Sequence, residues 1–224
     1  SKNRRALTFA SISGIISTVA LSNIYQGMLY SVSIALPAWL IISTTLTPRK
    51  NIQSPGATIG EIVSSLTILG GFMMILITIV FFEHSVDLPQ NIENFLEKLI
   101  VNNQPNLTTT VNGRLLVEKI VLYFPAITVS SWLLMTIINS VVAQTILIRA
   151  GANLRPAFRY SEITVPDWLY WALVGSGVLV LIGTDSFEYL GRNITAIIFI
   201  PFLFVGLGVL HTTARQLRSH IVVL

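Results

Sequence analysis

The chain of 224 residues contains no cysteine, which excludes disulfides, thiolate metal sites and a cysteine nucleophile. Histidine is scarce, and His84, His211 and His220 are too scattered along the sequence to read as one metal cluster. Charge is scarcer than in any ordinary soluble domain: Asp, Glu, Lys and Arg make up 11% of residues, against about 25% in soluble proteins. No Walker sequence, HExxH, GxSxG or paired-carboxylate arrangement occurs, so the sequence gives no basis for an enzyme or for a cofactor. The net charge of +4 brings no run of Lys and Arg interleaved with stacking aromatics, so nucleic acid is not an expected partner.

What the chain has instead is apolar mass. Hydrophobic residues are 53% of it and the mean hydropathy is +0.73. That is too much for one soluble core, and it indicates an all-α integral membrane protein embedded in the lipid bilayer. Six apolar segments of spanning or near-spanning length are expected, at 6–22, 26–46, 59–82, 126–148, 168–183 and 189–211, in one helical domain over 1–224. The apolar stretch 115–148 is the awkward one. As a single helix it would run about 51 Å at 1.5 Å per residue, against a hydrocarbon core of about 30 Å. Pro125 offers a break, so 115–124 is read as an interfacial or tilted helix and 126–148 as the span. The first two segments are joined only by Asn23-Ile24-Tyr25, and a re-entrant hairpin is the alternative to two spans there.

The basic residues orient this layout, because cytoplasmic loops carry the excess of Lys and Arg. With the N-terminus inside, Lys2, Arg4, Arg5, Arg49, Lys50, Arg149, Arg155, Arg159, Arg215 and Arg218 fall inside, ten of the fourteen. Lys98, Arg114, Lys119 and Arg192 fall outside. The expectation is a bundle of six helices with both ends cytoplasmic, in a bacterial cytoplasmic (inner) membrane. The opening Ser-Lys-Asn-Arg-Arg and the apolar Ile221-Val222-Val223-Leu224 suggest a fragment of a longer chain. The long outside loop, 83–114, contains Ile92, Phe95, Leu96, Leu99 and Ile100 at helical spacing. It is expected to hold a short amphipathic helix at 90–102 that lies on the outer membrane surface, caps the bundle or gates a site. Asn106-Leu107-Thr108 in the same loop fits a glycosylation sequon.

Polar side chains inside a span are costly, so each is a candidate for function. Thr136, Asn139, Ser140 and Gln144 fall within about 140° of one helix face at 100° per residue, and are candidates for the wall of a polar solute path; hydrogen bonding between helices is the plainer alternative. Asn193 and His211 mark the two ends of the last segment. Asn193 is a further candidate for substrate binding, whereas His211 beside Arg215 reads as a lipid or partner contact at the membrane interface. Arg155 and Arg159, in the inside loop 149–167, are candidate contacts for anionic lipid or a protein partner. Asp185, Glu188 and Arg192 cluster at an outer turn, where Glu188 and Arg192 have the i, i+4 spacing of a helix-end ion pair. Glu61 suits the first turn of the third segment. No residue set suggests a metal site.

Three stretches carry a family resemblance: Ala35-Leu36-Pro37-Ala38-Trp39-Leu40; Arg155-Pro156 with Val165-Pro166-Asp167-Trp168-Leu169; and Asn193 followed by Phe202 to Phe204 and Gly206-Leu207-Gly208-Val209-Leu210-His211. They resemble the YybS-like family of multi-pass bacterial membrane proteins, a domain of unknown function, over most of the chain from the second segment onward. The resemblance implies longer family members, with a further membrane hairpin before 6–46 and sequence beyond Leu224. A remote likeness of that family to the substrate-binding membrane subunits of vitamin transporters implies small-molecule binding within the bundle, with 136–144 and Asn193 the places to look. Two functions stay open: a small-solute binding or transport component, and a non-catalytic structural or assembly protein that binds a protein partner.

Overall fold

The structure is a computed structural model that describes residues 2–45, 59–83, 88–103, 111–152, 163–184 and 186–222. Its elements are α1 (Lys2–Leu21), α2 (Ile24–Tyr30), a π-helical turn (Ser31–Ala35), α3 (Leu36–Thr45), α4 (Ile59–Glu83), α5 (Leu88–Asn103), α6 (Val111–Arg149), α7 (Trp168–Ile182) and α8 (Ser186–Val222). No strand occurs among the described residues. The all-helical, apolar architecture is that of a helical membrane protein. Among the described residues, four stretches are long and apolar enough to cross a bilayer: Ile24–Thr45, Ile59–Leu76, Leu115–Arg149 and Ser186–Ala214. Thr8–Leu21 and Trp168–Ile182 are shorter apolar helices.

The chain divides into two compact units. The first comprises Ser1–Leu66, Trp132–Pro166 and Phe204–Leu224. In it, Asn23 caps α2 by accepting a hydrogen bond from the Gln26 N–H at 2.9 Å, which turns the chain directly from α1 into α2. Gly27 lets the two helices close up: a Cβ there would fall 2.1 Å from Val19 Cγ2. The helix then passes through the π-helical turn, where the Leu36 N–H donates to the Ser31 carbonyl five residues back. The turn immediately precedes Pro37, which has no N–H for the Ser33 carbonyl four residues before it. The Trp132 indole N–H of α6 donates to that carbonyl at 2.9 Å. Further along, Gly60 at the start of α4 packs against the Thr164 carbonyl, which a Cβ would approach to 1.8 Å. Past Arg149, Gly151 (φ 66°) closes α6. The Ala152 N–H donates to the Leu147 carbonyl and the Gly151 N–H to that of Ile148, the paired bonds of a Schellman cap.

The second unit comprises Thr67–Ser131 and Asp167–Leu203. Here the amphipathic helix expected at 90–102 is α5. Its Ile92, Leu96 and Ile100 pack with Val117, Val121 and Phe124 of α6. Phe95 and Leu99, the rest of the apolar set, are exposed. Helices α7 and α8 form a hairpin turned at Gly183. Gly191 sits against the α7 backbone, 3.0 Å from Val180 N to a Cβ placed there, and Thr195 Oγ1 donates to Ser176 Oγ at 2.9 Å. Tyr170 and Phe202 meet edge to face.

The largest departure from expectation is at Pro125. The sequence suggests that the helix ends there, yet α6 runs unbroken from Val111 to Arg149 with Pro125 inside. Proline interrupts a helix because it lacks one donor and crowds the preceding turn. The helix survives because α8 supplies what the ladder loses.

Candidate functional site

Pro125 leaves the Val121 carbonyl without its i+4 donor. The Tyr189 hydroxyl of α8 donates to that carbonyl at 3.1 Å. One residue further, an uninterrupted helix would join the Ala126 N–H to the Leu122 carbonyl. The Asn193 carboxamide engages both groups. Its Oδ1 accepts from the Ala126 N–H at 3.0 Å and its Nδ2 donates to the Leu122 carbonyl at 3.0 Å. The second Nδ2 proton goes to the Tyr189 carbonyl at 2.9 Å. Asn193 is 0% exposed, so burial and full use of its donors go together. Tyr189 and Asn193 are four residues apart and so share one face of α8.

The neighbouring turn of α8 adds charge to this contact. Arg192 pairs with Glu188, as the i, i+4 spacing suggests, and its guanidinium lies 6.0 Å from the centre of the Tyr123 ring. Residues 188–193 of α8 therefore hold residues 121–126 of α6 through two side-chain clasps and a cation–π contact. Asp185 lies outside the described residues.

The polar stripe on α6 is arranged differently. Thr136 Oγ1 donates to the Trp132 carbonyl and Ser140 Oγ to the Thr136 carbonyl, each within its own helix. Gln144 is half-buried and Asn139 is exposed. All four belong to the first unit, whereas Asn193 belongs to the second. His211 is exposed, on the first unit's part of α8. Arg155, Arg159 and the sequon at Asn106 lie outside the described residues.

A model of the family DUF2232, described as a predicted membrane protein, matches residues 1–223. The chain belongs to that family. The resemblance drawn from the short apolar motifs to a family of multi-pass membrane proteins of unknown function thus holds at the level of the family. No curated protein and no solved structure matches this DUF2232 chain.

Sequence reasoning missed Ser64. It lies in the first unit, one turn along α4 from Gly60, with Ile62, Val63 and Leu66 buried around it. It is 1% exposed, and its Oγ has no hydrogen-bond partner among the described residues. Ser and Thr hydroxyls inside a helix usually donate to the carbonyl four residues back, as Ser65 does to Glu61 at 2.7 Å. A hydroxyl that is both enclosed and unpaired is the exception. The available signal was its place in the apolar run Ile62-Val63-Ser64-Ser65-Leu66, a polar pair in the second turn of α4. Tyr189 was missed too; the clue was its i, i+4 relation to Asn193 on a helix facing a proline.

Proposed function

We propose that this DUF2232 protein is a non-catalytic, small-solute binding component of a transport system in the bacterial cytoplasmic membrane. It crosses the bilayer six times, with α1 and α7 as short spans and both ends in the cytoplasm, the arrangement favoured by the inside bias of its Lys and Arg. The observation that carries the solute reading is Ser64. An enclosed hydroxyl without a partner costs about 1–3 kcal/mol, and one hydrogen bond from a small polar solute offsets that cost. The compact unit that contains Ser64 also contains Thr136, Asn139, Ser140 and Gln144, the proposed polar wall. The test is native mass spectrometry of the purified protein in mild detergent. A retained small molecule that Ser64→Val releases supports the reading; a wild-type protein that retains none in any preparation overturns it.

A partner-binding role is the second reading, and one observation favours it. Ala6, Ala10, Ser13, Ser17 and Ala20 follow each other at spacings of four and three along α1, and all five are exposed. Small residues in register let a second helix approach closely in lipid, and Arg155 and Arg159 would add cytoplasmic contacts. Copurification of a stoichiometric membrane protein, lost when Ala10 and Ser17 are changed to Leu, is the outcome this reading requires. The two roles are compatible, since a solute-binding subunit acts through the assembly it joins.

A further inference from the structure

We propose that α5 together with residues 111–124 of α6 forms an arm hinged at Pro125, latched by Tyr189 and Asn193 of α8. Three observations within the second unit carry this. First, α5 is fastened to the arm: Ile92, Leu96 and Ile100 form one apolar cluster with Val117, Val121 and Phe124. Second, the ladder at the base of the arm lacks one backbone donor and is clasped there by side chains of α8. Pro125 cannot donate to Val121, and the Asn193 carboxamide bonds both the Ala126 N–H and the Leu122 carbonyl. A helix bends where its ladder is interrupted, and here the interrupted rung and the one after it are both engaged by another helix. Third, the groups that engage those rungs are adjacent on α8. Tyr189 and Asn193 act on the two carbonyls and one N–H, and Arg192 between them lies over Tyr123 of the arm.

The arrangement has two states. With the hydroxyl and carboxamide seated, the carbonyls of Val121 and Leu122 are satisfied and the arm continues the line of α6. When α8 withdraws by the length of a hydrogen bond, the Val121 carbonyl loses its partner, the clasp on Leu122 and Ala126 opens, and the arm is free to turn about Pro125. Position of α8 and position of α5 are thereby coupled through six residues of α6. Because the coupling needs an interrupted ladder, replacing Pro125 with a residue that has its own N–H should abolish it.

The absence of native cysteine makes the test direct. Spin labels are placed at the exposed positions Lys98→Cys on α5 and Val174→Cys on α7, in the full chain in lipid nanodiscs, and their distance distribution is measured. The native sequence gives one narrow distance. Tyr189→Phe, which removes a single oxygen, adds a second, longer population of several-fold greater weight; Asn193→Leu enlarges it further. In the Pro125→Ala background Tyr189→Phe leaves the distribution unchanged, because Val121 regains its backbone donor. Unchanged distances in both Tyr189→Phe and Asn193→Leu overturn the proposal. So does equal broadening by Tyr189→Phe with and without Pro125, which would mark general loosening. The readout requires no solute, so it stands or falls apart from the transport reading.

Discussion

Tyr189 and Trp132 perform the same service in different units. Each donates a side-chain proton to the carbonyl that lies four residues before a proline: Tyr189 to Val121 before Pro125, Trp132 to Ser33 before Pro37. In a bilayer core there is no water to do this, so a prolyl break is tolerated where a neighbouring helix re-satisfies the freed group. The value of such a bond is conditional on the proline, which makes it measurable. Trp132→Phe should destabilise the protein by about 1 kcal/mol, seen as lower resistance to denaturant unfolding in detergent. In a Pro37→Ala background the same substitution should cost far less, because the Ser33 carbonyl regains an N–H. A thermodynamic cycle across the four proteins reports that difference, and a null coupling would mean that the indole bond contributes only locally.

At the scale of the element, the sequence was legible where periodicity or punctuation decides. The apolar spacing of Ile92 to Ile100 placed α5, and the basic residue Arg149 placed the end of α6, which Gly151 closes. Pro125 was legible as an anomaly but misleading as a boundary. Whether a proline ends a helix depends on what faces it, and Tyr189 lies 68 residues away in sequence. The candidate site was legible in part for the same reason. A polar residue in a span announces itself, but whether its bonds close locally, as for Thr136 and Ser140, across helices, as for Asn193, or with no partner among the described residues, as for Ser64, is a property of packing. Gly60 shows how tight that packing is. Its Cβ-less face meets backbone, not a flexible side chain, so Gly60→Ala forces α4 away from the 163–166 segment. The expected cost is about 1–3 kcal/mol, typical of overpacking, read as a lower unfolding temperature. Gly71→Ala, on the same helix with nothing within 4 Å, should be neutral and serves as the control.

At the scale of the whole molecule, the charge pattern and the helix lengths make separate statements. Among the described residues four stretches have the length and apolarity to cross a bilayer, whereas the proposed layout has six crossings. The difference lies in α1 and α7. Helix α7, at 15 residues, spans about 22 Å, less than a hydrocarbon core of about 30 Å. Its exposed Trp168, Tyr170 and Trp171 gather at one end, as aromatic side chains do at the membrane interface. A single cysteine introduced at Ser22, between α1 and α2, should be blocked by an impermeant thiol reagent added outside intact cells. One introduced at Ala152 should be blocked only after permeabilisation. Protection at both positions from outside would reduce the crossings to four or fewer.

The distances along the chain between proline and partner also set a schedule for synthesis. The Ser33 carbonyl waits 99 residues for Trp132, and those of Val121 and Leu122 wait 68 and 71 residues for Tyr189 and Asn193. Until then each nascent helix carries an exposed backbone oxygen that lipid will not solvate. Such a helix is better held beside the insertion machinery, or near the hydrated interface, than released into the hydrocarbon. The open ladder of this chain therefore closes only when α8 arrives, and a ribosome stalled before Tyr189 leaves a product with an open ladder for quality control to read.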